Sequence, residues 1–306
     1  MGFGTALGAA DLHVHSVWSD GLATVPQILA HAEAETDLDI LAIADHDQVR
    51  GALEAVEWCA GRPGGRLQAV VATEISAAWG RHLLALFFAP PYPVVPFPRF
   101  KSLAETASRV HDAGGVIILP HPFSALVPSV GERTLTRLLR QRKARPELRV
   151  VQGLEVCSGV VGGRRMEPRL RRVNAGRWRL APVGSSDAHH LAQIGTARTR
   201  FAGRTPEALR EALAAGATEA RWGPEGTVTL RQHARQGWAS LVLKPARELR
   251  AAVSPRKAPS APAAYESDAS AASTPSEAGA PPAEGPSKGT AETEEMVAPP
   301  RTTSPS

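Results

Sequence analysis

Short apolar runs alternate with stretches of helical period along the first two thirds of the chain. The runs that read as strands lie near Gly8–Val14, Asp39–Ala44, Gln68–Thr73, His82–Phe88, Val116–Leu119, Gly153–Cys157 and Leu180–Gly184. Between and after them, apolar residues recurring every three or four positions predict helices over Val25–Glu35, Arg50–Ala60, Phe100–Ala113, Glu132–Lys143, Glu167–Ala175 and Pro206–Ala214. Thr24 ahead of Pro26, and Thr205 ahead of Pro206 and Glu207, have the character of helix starts, and Gly114 that of a glycine closing a helix. Strands alternating with helices in this way predict successive βα units. Residues Trp222–Arg250 are harder to place; Leu230, His233, Ala234, Gly237 and Leu241 make one helical stripe, with Trp222 and Trp238 for aromatic packing. The stretch from about 218 to 253 is therefore expected to be a C-terminal extension of the domain spanning 1–253. From Ser254 to Ser306 the chain is mostly Ala, Pro, Ser, Glu, Gly and Thr, with Tyr265 as its sole aromatic residue. Too little apolar surface is available there to offset chain entropy, so 254–306 is expected to be a disordered tail.

Composition narrows the class. With 306 residues, 43% hydrophobic and 21% charged, the chain has the make-up of a soluble globular enzyme rather than a fibrous or membrane protein. No stretch approaches the roughly 18 apolar residues of a membrane helix, and Met1–Ala10 lacks the basic and apolar regions of a secretory signal. Gly2 is followed by Ala6 where a myristoylation start needs Ser or Thr. Two cysteines, Cys59 and Cys157, build neither a disulfide framework nor a close redox or zinc pair, so a cytoplasmic, reducing setting is expected. The formal charge of +5 is uneven. Residues 254–306 carry four basic and seven acidic side chains of the chain's 35 and 30, which leaves 31 against 23, or +8, on residues 1–253. Such a body suits anionic partners, although arginine excess from genomic composition accounts for it equally well.

The candidate chemistry gathers at strand ends. In order it comprises His13 and His15 in DLHVHS, Asp20 in SDG, His46 in ADHD, Glu74 in TEIS, His82 in GRHLLA, His121 in LPHPF, and Asp187 and His189 in SSDAHH. Alternation along extended chain sends His13 and His15 to one face, as two ligands of one cluster require. Asp187 and His189 repeat the device. A lone HxH pair is a weak signal, and His31, His111 and His233 read as ordinary packed or surface histidines. His190 stands at even odds, since it adjoins the set but points away from His189. Asp45 and Asp47 either orient His46 or cap the following helix. Glu155 reads as a ligand, a water-orienting group or an ordinary strand-end acid. Joint occurrence gives the set its weight: nine nitrogen and oxygen ligands after successive strands are very improbable by chance.

These motifs, DLHVHSVWSDG, LAIADHD, TEIS, HLLALFF, LPHPF, GLEV and GSSDAHH, resemble the PHP (polymerase and histidinol phosphatase) superfamily, and within it the stand-alone metal-dependent phosphoesterases. The resemblance covers roughly Asp11 to Ala217, and IGTARTRF and TPEALREAL are similar to its PHP-associated C-terminal region. It implies an α/β fold, a distorted (βα)7 TIM-like barrel, holding two or three divalent ions of manganese, zinc or iron. His13, His15, Glu74 and Asp187 would hold the first ion; Glu74, His82 and His121 the second, with Glu74 bridging; Asp20, His46 and His189 the third. Glu74, Asp187 and His189 would be the catalytic residues, and a metal-bridged hydroxide the nucleophile. Members of the RNase-trimming branch carry a long helical insertion between the positions matching His82 and His121. Here that interval is short and opens with APPYPVVPFPRF, so that branch's substrate does not transfer.

A mixed imidazole and carboxylate set suits borderline metals better than magnesium or calcium. Arg81, Arg164 and Arg165 lie near rim positions and are candidates to clamp substrate phosphate, against the plainer reading of solvated surface. Ser185, Ser186 and Cys157 are not needed as nucleophiles. The expected substrate is a small phosphate ester or a nucleotide, with short oligonucleotides open and no membrane or obligate protein partner indicated. Three rivals stand beside this reading. An amidohydrolase-type barrel often bridges its metals with a modified lysine, yet Met1–Phe100 contains no lysine. A non-catalytic binding module would have lost ligands, and none is lost. A nuclease would suit the basic body but lacks any recognisable nucleic-acid module or aromatic-basic stacking strip.

Overall fold

In the computed structural model, residues 6–124 and 127–224 are described. The expected extension beyond residue 224 and the tail at 254–306 lie outside them. Each of the seven strands read from the sequence is present: β1 (Leu7–Val14), β2 (Ile40–Ile43), β3 (Gln68–Ser76), β4 (His82–Phe87), β5 (Val116–Leu119), β6 (Val151–Ser158) and β7 (Ala181–Ser185). Two further strands, β8 (Ala197–Ala202) and β9 (Glu219–Trp222), follow them. The helices are α1 (Val25–Glu35), α2 (Arg50–Ala60), α3 (Leu103–Asp112), α4 (Glu132–Arg140), α5 (Gly163–Val173) and α6 (Pro206–Ala215).

One sheet joins the strands in the order β7-β6-β5-β4-β3-β2-β1-β8-β9. β1, β2 and β3 run parallel, as do β5, β6 and β7, whereas β4 is antiparallel to both of its neighbours. The ends of the sheet curl toward each other. The backbone of Ala188, just after β7, accepts from His15 at 2.8 Å and donates to the His13 carbonyl at 3.1 Å. Deeper in, the Thr199 hydroxyl on β8 accepts from the Gly184 N–H and donates to its carbonyl, at 3.1 and 2.9 Å. The result is a nearly closed α/β barrel with the strand sequence expected of the distorted (βα)7 type.

Alternation sorts the strand residues into two layers. Ala10, Leu12, Ile40, Ala42, Val70, Ala72, Leu84, Leu86, Ala181 and Val183 pack with one another and with Phe201 in one buried cluster, and α6 adds Leu209 and Leu213 to it. The intervening positions, Leu41, Ile43, Val71, Ile75, Leu83, Ala85 and Phe87, pack with the buried faces of α1, α2 and α3. Glu74 continues the Val70-Ala72 row and His82 the Leu86-Leu84 row, so each carries the interior face to its polar end. Because β4 runs against its neighbours, its first residue reaches the rim where the parallel strands finish; the pairing Ser76↔His82 places it there.

The helix starts differ from the sequence reading in two places. Phe100 lies outside α3 at φ 59, and the helix begins at Leu103, capped by Ser102 accepting from the Glu105 N–H at 3.1 Å. α5 starts at Gly163, four residues before Glu167, with Pro168 inside it. A proline reads locally as a first-turn residue, but here Gly162, at φ +87, makes the turn into the helix. At the far end Asn174 bonds both the N–H and the carbonyl of Leu180, at 3.0 and 2.8 Å, and so leads the chain into β7. Among the described residues no helix is long and apolar enough to cross a membrane.

Candidate metal centre

The nine side chains singled out from the sequence meet at one rim. His13 Nε2 lies 3.1 Å from His15 Nε2, 3.3 Å from Glu74 Oε2 and 3.5 Å from Asp187 Oδ1. His15 Nε2 is 3.1 Å from the same Asp187 oxygen and 3.4 Å from Glu74 Oε2, while its Nδ1 faces Asp20 at 3.7 Å. The other Glu74 oxygen receives His82 Nδ1 at 2.9 Å and His121 Nε2 at 3.0 Å. His46 reaches Glu74 through Nδ1 at 3.3 Å and Asp20 through Nε2 at 3.6 Å, and His189 Nε2 stands 3.5 Å from Asp20.

Four overlapping triads within this set have the spacing of cation ligands: His13-His15-Asp187, His13-Glu74-His121, His15-His46-Glu74 and His15-Asp20-His189. Ligands bound tetrahedrally at about 2.1 Å stand roughly 3.4 Å from one another, the scale of the separations above. The grouping departs from the one the resemblance implies at His46, which stands with His15 and Glu74 as well as with Asp20, and at His15, which adjoins the Asp20-His189 pair. Glu74 is central in either grouping.

The donor set fits a divalent ion. Glu155 Oε1 lies 2.9 Å from His13 Nδ1. If Nδ1 donates there, the Nε2 lone pair points at His15 Nε2 and two carboxylate oxygens. One proton shared in that gap satisfies two of the four acceptors; a cation satisfies all four. Charge agrees. Burial opposes ionisation of Glu74 and Asp187, yet the surrounding imidazoles outweigh it and hold both carboxyls far below their ordinary range. Asp20 is held down in the same way by His189, His46 and His15. Burial likewise works against a charged His189, but Asp20 and Asp187 push it up to about 9. Buried carboxylates kept ionised beside imidazoles are the electrostatic counterpart of a cation.

Residues behind the cluster hold it in place. Glu155 is completely buried; its second oxygen accepts the backbone N–H of His121 at 2.7 Å, so both oxygens brace the centre. Asp45 accepts from the Ser16 N–H at 2.8 Å and from the hydroxyls of Ser16 and Ser19 at 2.6 and 2.5 Å, which fixes the loop after His15. Asp47, at φ 53, accepts from the Ser76 N–H at 2.7 Å and pairs with Arg99 at 3.0 Å, tying the loop after His46 to the end of β3. Neither aspartate falls in any of the four triads. Asp187 and His121 also have positive φ, 50 and 29, so backbone strain concentrates at the rim.

Asp11 escaped the sequence reading as a supporting residue. Its carboxyl is buried beneath the cluster, accepts the N–H groups of Ser186 at 3.0 Å and Gly195 at 2.8 Å, and is pushed up to about 6 by that burial. The signal was available: Asp11, His13 and His15 fall two residues apart in one motif. His190 lies outside the four triads, and its N–H donates to Gln193 Oε1 at 3.1 Å. His31 and His111 sit on α1 and α3, away from the set, and His233 falls beyond the described residues. Of the arginines, Arg165 lines a cavity beside His121, and Arg164 stacks over Trp222 at 4.2 Å. The Arg81 carbonyl accepts from the Ala77 N–H and closes the loop leading to His82. Cys157 is buried, its thiol pushed up to about 12 chiefly by that burial, as suits a packing residue.

Comparison with known proteins agrees with this picture. Residues 169–218 match the family model described as PHP-associated. An uncharacterized protein of Methanocaldococcus jannaschii is 27% identical over 135 residues, 40% of this chain and 73% of that one. The 3',5'-nucleoside bisphosphate phosphatase of Chromobacterium violaceum is 40% identical over 72 residues, so this chain spans about a quarter (24%) of its length and is itself covered to 24%. In fold, a two-domain protein of Bacteroides vulgatus containing a PHP-like metal-dependent phosphoesterase superposes with a TM-score of 0.56 at 18% identity, over 77% of this chain and 70% of that one. The barrel, the ordered His and carboxylate motifs and the match to the PHP-associated model thus occur together in one polypeptide.

Proposed function

We propose that this chain is a metal-dependent hydrolase of phosphate esters, acting on small phosphomonoesters and nucleotides with two or three manganese, zinc or iron ions. The reading is carried by the convergence of nine imidazole and carboxylate side chains on one rim, with Glu74 touching five of the histidines through its two oxygens. The bound ions supply Lewis acidity toward water and neutralise charge that develops on the phosphoryl oxygens. His13, His15, Glu74 and Asp187 would hold one ion, Glu74, His82 and His121 another, and Asp20, His46 and His189 the remaining one. Glu155 holds the proton of His13 on Nδ1, which leaves Nε2 available as a ligand. Asp11 and Asp45 fix the two loops that carry Asp187 and Asp20. No serine or cysteine is required as a nucleophile, and the raised thiol of Cys157 suits that assignment. Arg81, Arg164 and Arg165 remain the arginines assigned to substrate phosphate, Arg165 on the strength of its place beside His121.

The bisphosphate phosphatase of Chromobacterium violaceum gives independent support for phosphomonoester chemistry in a relative. A cytoplasmic setting suits the two free thiols. The test is phosphate release by the manganese-loaded protein from mononucleotides, nucleoside bisphosphates and short oligonucleotides at near-physiological salt, with metal content measured in parallel. Release from the small esters with at least one ion per chain is expected. Metal content well below one per chain, or cleavage of oligonucleotides alone, would count against the reading.

A further inference from the structure

A cavity of about 290 Å³ opens beside His121, between the loop after β5 and the first turn of α5. Phe123, Val156, Val160, Val161 and Met166 are among the residues of its wall, and Arg165 lines it as well. An adjoining cavity of about 260 Å³ shares Ser158, Gly162, Gly163 and Arg165 with the first. Ser158 is buried at 3% exposure, and its Oγ has no hydrogen-bond partner among the described residues. A buried hydroxyl lacking a partner beside an open cavity calls for a ligand atom.

The surroundings specify the sign of that atom. α5 is 11 residues long, and its first turn carries Arg164 and Arg165 and no acidic residue of its own. Helix N-terminal amides and dipole favour negative charge. The backbone is drawn tight: a Cβ on Gly163 would lie 1.9 Å from the Ser158 carbonyl oxygen, so only glycine allows the helix to begin this close to Ser158. The apolar wall suits a flat or aliphatic body, and 290 Å³ lies at the small end of ligand pockets, which begin at roughly 300 Å³.

We infer that this cavity receives the leaving group of the ester hydrolysed at the metal centre, and that Ser158, Arg165 and the N-terminus of α5 bind a second anionic group on it. The inference rests on the phosphoesterase reading above and narrows it. The substrate class becomes a compact phosphomonoester with an apolar body and a second anion, phosphate or carboxylate, separated from the reacting phosphate by that body.

Two measurements on the full-length chain test this. In the first, chelator-treated protein is titrated calorimetrically with adenosine 5'-monophosphate and with adenosine. The monophosphate should bind about tenfold more tightly, and Ser158→Ala and Arg165→Ala should each remove most of that difference. In the second, the manganese-loaded protein is assayed on phenyl phosphate, on its carboxyl-substituted analogue and on the bisphosphate of the same ring. One or both esters with an anionic body should be preferred about tenfold through KM, identifying carboxylate or phosphate as the second group, and both variants should collapse that ratio toward unity. Arg165 is exposed, so its variant tests the site without disturbing the fold. Equal use of all three esters, or a preference that survives both substitutions, overturns the subsite while leaving the phosphoesterase reading intact. Binding that depends on Ser158 and Arg165, in a protein that hydrolyses none of the esters, overturns the phosphoesterase reading and leaves the anion subsite standing.

Discussion

Glu155 offers a test of how the metal centre is held, because it faces the centre through two oxygens with two different donors. Oε1 takes the His13 Nδ1 proton at 2.9 Å and Oε2 takes the His121 N–H at 2.7 Å, in complete burial. Glu155→Gln preserves the shape and removes this arrangement. The amide has one oxygen, so whichever donor it serves, its NH₂ confronts the other. If it confronts His13, the imidazole must move its proton to Nε2 and surrender the lone pair aimed at Glu74 and Asp187. Two charge-assisted hydrogen bonds worth about 1.5–3 kcal/mol each are then replaced by one neutral bond of about 0.5–1.5 kcal/mol and one repulsive contact. A net loss on the order of 2–3 kcal/mol corresponds to roughly 30- to 150-fold in binding, near the upper part of the 10- to 100-fold range of residues that support metal ligands. The assay is competition of the purified variant against a chromophoric chelator for manganese or zinc, with the melting temperature of the chelator-treated protein as a second reading. Weaker ion binding by one to two orders of magnitude is expected, together with a much smaller change in metal-free stability, since the variant also relieves burial of a charge. Ion affinity within about twofold of the parent would refute the argument, because a residue supporting a ligand cannot be that silent.

Three further outcomes follow from the same geometry. Glu74→Gln and Asp187→Asn each remove a charge in contact with two or more histidines, so phosphate release should fall by orders of magnitude while the far-ultraviolet circular dichroism stays that of the parent; near-normal turnover in either would remove that residue from the machinery. Gly51→Ala places a Cβ 2.3 Å from Asp45 Oδ2, so overpacking should cost about 1–3 kcal/mol, visible as a lower melting temperature, and should loosen ion binding by displacing the loop after His15. The thiols of Cys59 and Cys157 are pushed up to about 11 and 12, mainly by burial, so neither is a thiolate near pH 8; iodoacetamide should label the native protein slowly and the denatured protein fast, and rapid native labelling of Cys157 would contradict its packing.

The sequence by itself determined the strands and the candidate ligands, for one physical reason: both are written in local periodicity. A run such as Leu83 to Phe87 or Val116 to Leu119 must be buried, and a pair such as His13 and His15 must share a face, whatever surrounds them. Helix ends were less legible. Pro168 has the character of a helix start, yet α5 begins earlier because Gly162 supplies the positive φ and Gly163 lets the helix close on Ser158. Tertiary structure decided the rest, because it concerns residues far apart in the chain. The reversal of β4, which carries His82 to the common rim, follows from pairing with β3 and β5 and leaves no mark in its own composition. Glu155 had three open readings until its two oxygens met His13 and His121, 142 and 34 residues away. Asp11 became a brace only when the turns at Ser186 and Gly195 folded back onto it. A side chain's donors and acceptors are fixed by its chemistry, but which groups satisfy them is fixed by the fold, and at this rim those partners decide which atoms remain free to hold an ion.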